Sequence, residues 1–275
     1  MIAATQTTDA VGRRGGVRAL WAGNPGAVVQ RGLIAARSSS WALVLSGFFE
    51  PVFYLASMGI GLGGLIGDVQ TSTGLEVSYA AFIAPALLAV SAMNGAIYDS
   101  TWNVFFKLNY GKLYEGMLAT SLGPLDVALG EILYALLRGL LYATGFMIIM
   151  QIAGLNLAWT AILAIPAVLL IAFGFASVGM AVTSYMKAFQ QMDWINFVML
   201  PMFLFSATFY PITVYPGWIQ GLIKALPLWH AVELVRGLTL GVLDGSMLTH
   251  VAYFVVMIGL GLAFTTVRLR ALFLD

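Results

Sequence analysis

Hydrophobic residues in this chain are gathered into six long stretches separated by polar or basic segments. The stretches cover residues 41–66, 78–98, 127–152, 159–184, 193–210 and 247–267. A helix needs about 20 mostly apolar residues to cross the hydrocarbon core of a bilayer, and each stretch reaches or approaches that length. The pattern therefore predicts an all-α integral membrane protein with six transmembrane helices.

The composition agrees with this prediction. Hydrophobic residues make up 60% of the 275 positions and charged residues only 9%, whereas a water-soluble domain usually carries about a quarter charged residues. The absence of cysteine excludes disulfide bonds and thiolate metal sites and leaves the redox compartment undetermined. The net charge of +1 gives no indication that nucleic acid is a partner.

The distribution of basic residues predicts the orientation, because Lys and Arg favour cytoplasmic loops. With the N-terminus inside, two basic residues fall outside (Lys224 and Arg236), and Arg138 lies within a span. The other ten fall inside: Arg13, Arg14, Arg18, Arg31, Arg37, Lys107, Lys112, Lys187, Arg268 and Arg270. We therefore expect both termini in the cytoplasm, and the reverse orientation is the alternative.

The chain is expected to divide into two parts. Residues 1–40 are basic and polar without an early apolar core, which argues against a cleavable signal peptide. They are predicted to form a cytoplasmic tail and, over about residues 17–38, an amphipathic helix lying at the membrane surface. A plain cytoplasmic linker is the alternative for that helix. Residues 41–275 form the transmembrane domain.

The segment 211–246 differs from the other connections because it is semi-apolar and interrupted by proline and glycine. Residues 217–226 and 228–240 are predicted to be two short helices, neither long enough to span a bilayer. The pattern indicates a re-entrant hairpin that enters the membrane from the outer face, between helices 5 and 6. A loop lying flat on the outer surface is the alternative.

Charged residues within the spans are informative because they are costly in lipid. Glu50 lies in the first span, and Glu131 and Arg138 lie seven residues apart on one face of the third. Two helical turns separate this pair by about 10 Å, which is too far for direct contact. We expect Arg138 to meet Glu50 or a group on a partner, and both structural pairing and a role in translocation stay open.

Few other residues suggest chemistry. No glycine-rich loop ends in Gly-Lys-Ser/Thr, so energy from ATP has to come from another polypeptide. Neither His230 nor His250 has a carboxylate or a second histidine at metal-ligand spacing, and we predict no metal site. Glu233 and Arg236 are three residues apart in the outer hairpin and can pair along one helix face.

Large apolar side chains crowd the first and fifth spans. Lipid contact and helix packing explain most of them, but an amphiphile pathway also needs a large and adaptable apolar surface. The candidate residues for such a substrate pathway are Phe49, Phe53, Tyr54, Met199, Met202, Phe203 and Phe205.

The order of these elements resembles the permeases of ABC-type-2 exporters, in the lipo-oligosaccharide (nodulation-factor) and drug-exporting branch. The local sequence also resembles this family over nearly the whole chain after residue 25. The matching stretches are Glu50-Pro-Val-Phe-Tyr-Leu, Gly59-Ile-Gly-Leu-Gly, Tyr79-Ala-Ala-Phe-Ile-Ala-Pro, Glu115-Gly-Met-Leu-Ala-Thr with Gly130-Glu131, Phe173-Gly-Phe-Ala-Ser-Val-Gly-Met and Leu226-Pro-Leu-Trp-His-Ala-Val-Glu-Leu-Val-Arg-Gly.

The resemblance implies a permease of the cell inner membrane that exports a lipid, glycolipid, drug or natural product. It implies a dimer of permease halves, the same or different, with two ABC ATPase subunits that hold ATP and Mg, while this chain binds no cofactor. The loop between the second and third spans would supply a coupling helix within about residues 105–122. Its candidate contacts are Phe106, Lys107, Tyr110, Lys112, Tyr114 and Glu115.

Two other classes of function compete with this interpretation. An ion-coupled secondary transporter of a hydrophobic substrate would need broken spans lined with polar groups, often in two related halves. A membrane-embedded enzyme would need a reactive constellation of side chains. We find neither a repeat nor such a constellation, so the exporter permease is the preferred reading.

Overall fold

The computed structural model describes residues 21–36 and 49–273. This part of the chain is mostly helical. The helices, numbered in chain order, are α1 Pro25–Ala36, α2 Phe49–Ile66, α3 Tyr79–Tyr110, α4 Leu113–Leu118, α5 Pro124–Ile152, α6 Ala164–Tyr185, α7 Asp193–Phe205, α8 Gly217–Ala225, α9 Pro227–Leu240 and α10 Ser246–Phe273. Short 3-10 turns at Trp159–Leu163, Phe189–Met192 and Ile212–Val214 precede α6, α7 and α8.

Five helices in the described residues are long and apolar enough to cross a membrane. They are α2, α3, α5, the segment Trp159–Tyr185 that contains α6, and α10 up to Leu272. The predicted stretches at 78–98, 127–152, 159–184 and 247–267 match four of them closely. Residues 41–48 of the first predicted span and residues 1–20 of the predicted N-terminal part lie outside the described residues, so the division at residue 40 stays a prediction.

The predicted fifth span corresponds to α7, which has only 13 residues. At 1.5 Å per residue this helix is about 20 Å long, against about 30 Å of hydrocarbon. The helix ends at Phe205, and the chain then bends through Ser206–Tyr210, where Ala207 takes a positive φ of 56°. The count of six spans therefore stays a prediction.

The segment between α2 and α3 is a β-hairpin. β1 (Asp68–Gln70) pairs antiparallel with β2 (Glu76–Ser78), and Val69 lies opposite Val77. The sequence predicted only a short loop here, so the all-α description needs this small correction. Ser78 ends β2 and its hydroxyl accepts a hydrogen bond from the Ala81 amide, which caps the start of α3.

α3 is the central helix, and it contacts α2, α5, α6 and α9. Fifteen of its first 20 residues are buried, and it then continues through two π-helical stretches, Asp99–Asn103 and Phe106–Tyr110. We call the end of the bundle that carries β1, β2, α8 and α9 the hairpin end. The end that carries α1 and α4 is the α4 end.

The predicted outer hairpin is present as two helices, α8 and α9, joined at Leu226–Pro227. α9 is buried along ten of its 14 residues and packs against α3, α10 and the turn before α6. Because α9 lies inside the bundle, the flat surface loop is the less suitable description. The depth of the hairpin in a membrane stays a prediction.

α6 and α10 pack closely through small residues. A Cβ at Gly261 of α10 would lie 2.6 Å from the backbone and hydroxyl of Ser177 in α6, and a Cβ at Gly174 would lie 2.7 Å from the Phe254 ring. Such distances leave no room for a side chain at Gly261.

Leucine at Gly261 is therefore expected to destabilise the fold by about 1–3 kcal/mol, the usual cost of overpacking. The same substitution at Gly259, where a Cβ meets nothing within 4 Å, is the matched control because both changes alter helix propensity equally. Thermal unfolding in detergent measures the difference. Equal midpoints for Gly261→Leu and Gly259→Leu would contradict close packing of these helices.

Candidate functional site

A cavity of about 750 Å³ opens between α2, α3, α5, α6 and α7. Three of the seven predicted substrate residues line it, namely Tyr54, Met199 and Phe203. The other four are not on its walls: Phe49, Phe53 and Phe205 are exposed elsewhere, and Met202 is buried. Aliphatic residues of α3 and α6 complete the walls, including Leu87, Leu88 and Val168.

The cavity also carries charged side chains. Arg138 of α5 pairs with Asp99 of α3, whereas the sequence interpretation expected Arg138 to meet Glu50 or a group on a partner. Asp99 was missed because it was placed at the start of the loop 99–126, but α3 continues beyond it to Tyr110. Glu50 lines the same cavity without joining this pair.

Glu131 belongs to a different cluster, at the α4 end. Its carboxylate accepts hydrogen bonds from Arg31 of α1 at 3.2 Å and from Lys107 of α3 at 2.5 Å. Glu131 is only 6% exposed. This carboxylate thus joins α1, α3 and α5, and Arg31 of the predicted surface helix contacts protein.

Asp126 is a second buried carboxylate at this end that the sequence interpretation did not single out. It accepts hydrogen bonds from the backbone amides of Ala22 at 2.7 Å, Asn24 at 2.9 Å and Gly123 at 2.9 Å. The carboxylate therefore caps the start of α5 and fixes the chain just before α1. Gly130 allows α1 to pack closely on α5, since a Cβ at Gly130 would lie 2.5 Å from the Val28 side chain.

The six predicted coupling residues have different surroundings in the structure. Phe106 and Tyr110 at the end of α3 are exposed, and so are Lys112 and Glu115 of the α4 region, which lie 3.8 Å apart. Lys107 is held by Glu131. The predicted coupling helix within about residues 105–122 is interrupted near Gly111, where the sequence already allowed a break, because Lys112 adopts a left-handed conformation with φ 46° before α4 begins.

Tyr114 differs from the other five because it is completely buried. Its hydroxyl has no hydrogen-bond partner among the described residues, and burial, assisted by the nearby Glu131 carboxylate, raises the pKa of Tyr114 well above its ordinary value. A neutral, buried ring anchors α4 to the bundle, while Lys112 and Glu115 stay in solvent.

At the hairpin end, Glu233 and Arg236 of α9 pair at 2.7 Å, as their spacing predicted. The Arg236 guanidinium lies 3.9 Å from the centre of the Phe82 ring and donates to the Phe82 and Ala207 carbonyls. Glu233 also accepts a hydrogen bond from Ser72 of the β-hairpin at 2.9 Å. This pair therefore ties α9 to α3, to the bend after α7 and to the β-hairpin.

His230 of α9 and His250 of α10 meet across the hairpin end, with 2.7 Å between their Nδ1 atoms. The sequence interpretation treated them as separate because twenty residues divide them. Tyr253 stacks on the His230 ring, with 4.2 Å between ring centres. One Nδ1 has to donate and the other accept, so both rings cannot be protonated while this bond exists. Within the described residues, no three His, Cys, Asp or Glu side chains form a metal-binding group.

Comparison with known proteins identifies the family to which the sequence of this chain is similar. Residues 26–240 match the family described as ABC-2 type transporter. The chain belongs to this family. The match runs from α1 to the end of α9, so it includes the cavity, the Glu131 cluster and the α4 region.

Individual relatives of this ABC-2 transporter chain cover it almost throughout. It is 31% identical over 246 residues to Nodulation protein J of Rhizobium leguminosarum bv. viciae, which covers 89% of the chain and 93% of the relative. Nodulation protein J of Sinorhizobium fredii is 31% identical over 82% of the chain and 85% of the relative. The Rhizobium meliloti protein of the same name is 30% identical over 82% and 83% respectively. The chain is therefore the membrane component of a transporter and is not in itself an enzyme.

The histidine pair is expected to make the stability of this transporter subunit depend on pH. Burial, and to a smaller degree His250, lower the pKa of His230 to about 4 from an ordinary 6.5, against the opposing effect of the Lys224 carbonyl. Between pH 6.5 and about 4 the unfolded chain binds a proton at His230 that the folded chain does not bind. The contribution of neutral His230 to the free energy of unfolding is therefore fully present above pH 6.5 and is lost as the pH drops through this window.

Thermal unfolding in detergent from pH 8 to pH 4 tests the histidine prediction. A His230→Asn variant removes the titrating ring and should show a shallower loss of stability between pH 6.5 and 4. The Asp244 and Glu233 carboxylates border the same small pocket as His250, and all three side chains are present in both proteins. Parallel pH profiles for the wild type and the variant would contradict the prediction.

Proposed function

We propose that this chain is the transmembrane permease subunit of an ATP-driven exporter. It moves an amphiphilic substrate, such as a lipid, glycolipid, drug or natural product, out of the cytoplasm or the inner leaflet. A separate subunit hydrolyses the ATP. The observation that carries the proposal is the cavity between α2, α3, α5, α6 and α7, which combines apolar walls with charged groups.

The cavity has the two kinds of surface that an amphiphile needs. Tyr54, Met199 and Phe203 provide adaptable aromatic and thioether contacts for an apolar chain. Glu50 and the Asp99–Arg138 pair provide polar contacts for a head group. Its size lies within the range of pockets that bury small organic ligands. These features support export of an amphiphile by passage along α2 and α7.

The energy source belongs to other polypeptides in this proposal. Two copies of an ABC ATPase hold ATP and Mg, and a second permease half, identical or different, completes the pathway. The ABC-2 family supports an ATPase partner in general. The exposed side chains of Lys112 and Glu115 beside the anchored Tyr114 form a projecting contact that is suited to such a partner.

The α4 end is assigned to the cytoplasm of a cell with this permease in its inner membrane. Arg31, Lys107 and Lys112 lie at this end, and Arg268 of α10 also reaches it by donating to the Ser184 carbonyl. This excess of basic residues is what the cytoplasmic side of a membrane protein usually carries. Both termini are then cytoplasmic.

Purification with and without the partner tests the proposed division of labour. We expect the isolated chain to hydrolyse no ATP and an ATP-binding protein to co-purify with it from its native membrane. In vesicles that contain both, Lys112→Glu and Glu115→Lys should each reduce transport per ATP roughly tenfold. Transport of a lipid or drug probe and phosphate release are the two measurements.

The double variant Lys112→Glu/Glu115→Lys is the matched control, since it restores a pair within the α4 region but presents reversed charges. Persistent uncoupling in the double variant indicates that a partner recognises these charges. Recovery indicates that the two residues act through their own ion pair within the α4 region. ATP hydrolysis by the isolated chain would overturn the proposal, and wild-type coupling in all three variants would remove the coupling assignment.

A further inference from the structure

The charges on the described part of the cavity walls do not cancel. Three charged side chains line the cavity among the described residues: Glu50, Asp99 and Arg138. Arg138 pairs with Asp99, which also accepts a hydrogen bond from Asn103 at 2.8 Å. Glu50 makes no ion pair within residues 21–36 and 49–273. Among the described wall residues, one carboxylate is therefore left without a paired cation, and Glu50 itself is exposed.

Aromatic rings surround the same space. The walls include Tyr54, Tyr98, Trp102, Tyr142 and Phe203. Tyr98 stacks on Trp102 with 6.3 Å between ring centres, and Tyr54 meets Phe203 edge-on at 6.2 Å. The faces of aromatic rings attract cations, and cages of such rings recognise quaternary ammonium groups. A carboxylate with no ion pair among the described residues, on the walls of the same cavity as several rings, is therefore an arrangement that favours a positive ligand.

We propose that the cavity selects amphiphiles with a cationic head group, such as a primary or quaternary ammonium. The head group lies against Glu50 and the aromatic rings, and the apolar tail lies along Leu87, Leu88 and Val168. This inference rests on the proposed function and specifies its substrate class.

An anionic head group is disfavoured by the same geometry. The Arg138 guanidinium is the one cationic side chain on the described walls, and Asp99 occupies it. An anion would have to displace Asp99, leaving a buried carboxylate unpaired, and would also face the charge of Glu50. Like charges brought together away from bulk water repel more strongly than they do in solution.

Equilibrium binding of a labelled cationic amphiphile tests this selectivity. The full chain is placed in nanodiscs of phosphatidylcholine, and binding of radiolabelled dodecyltrimethylammonium is measured after subtraction of empty nanodiscs. We expect saturable binding that unlabelled dodecyltrimethylammonium displaces at least tenfold more effectively than dodecyl sulfate. Glu50→Gln should weaken binding roughly tenfold, and Trp102→Ala should weaken it several-fold.

Glu76→Gln is the matched control because it removes an exposed carboxylate of β2 that does not line the cavity. It should bind the cation as the wild type does. Absence of saturable binding, equal displacement by dodecyl sulfate, or unchanged affinity in Glu50→Gln would each overturn the inference.

The assay contains neither ATP nor an ATPase, so it separates this inference from the proposed function. Selective binding by a chain that no ATPase can drive would contradict the exporter alone. ATP-driven transport without preference for cations would contradict the selectivity alone.

Discussion

Replacing Arg138 by alanine is expected to lower the free energy of unfolding of this transporter subunit by about 3–5 kcal/mol. The substitution leaves the Asp99 carboxylate, which is 8% exposed, without its cation inside a membrane span. Removing one partner of a buried ion pair costs this much because the remaining charge loses its counter-ion at a place that little water reaches. The Asn103 amide remains a single hydrogen-bond donor to Asp99. Unfolding in mixed detergent micelles measures the change.

The double variant Arg138→Met/Asp99→Asn separates the pair from its individual charges. It removes both charges and keeps side chains of similar volume, so most of the lost stability should return. A double variant as unstable as Arg138→Ala alone would show that Arg138 acts through packing. Wild-type stability of Arg138→Ala would show that Asp99 finds enough polar contact without it.

Charge reversal at Glu131 is expected to have the second largest effect, because it should release α1 from the bundle. Glu131→Lys places a third cation beside Arg31 and Lys107, whose only described acidic partner is this carboxylate. Because both cations are partly exposed, the loss should be smaller than at Arg138, about 2–3 kcal/mol.

The chain contains no cysteine, which makes the release of α1 directly measurable. Val28 is 2% exposed where α1 packs on α5, so a Val28→Cys reporter should resist maleimide labelling in the folded protein. The reporter should become reactive when Glu131→Lys is added. Glu115→Lys, at an exposed carboxylate, is the control and should leave it protected, and continued protection in the Glu131→Lys protein would contradict the prediction.

The long helices of this fold could be predicted from the sequence because their signal is local. The apolar runs of α5 and of the segment Trp159–Tyr185 that contains α6 end at polar or proline-containing turns, and the predicted bounds lie within three residues of those observed. The hairpin helices α8 and α9 were equally evident, because proline and glycine mark their ends. The β-hairpin was missed, since three-residue strands leave little periodicity to detect.

The partners of the charged residues could not be predicted in this way. Arg31 and Glu131 are 100 positions apart, and no property of either position identifies the other. Asp99 appeared to lie in a loop because polar residues follow it, yet α3 continues through π-helical turns. His230 and His250 come together only because α9 folds back along α10. Such contacts depend on how helices are arranged, which composition and spacing do not encode.

The length of α3 has a mechanical consequence. It runs without interruption from the Ser78 cap to Tyr110, about 45 Å at the rise of a helix. Arg236 contacts α3 near one end through the Phe82 carbonyl and ring, and Glu131 contacts it near the other end through Lys107. α3 is thus a long helix that is held at both ends. Rotation of α3 by about 5° about its midpoint would move its two ends by about 2 Å in opposite directions.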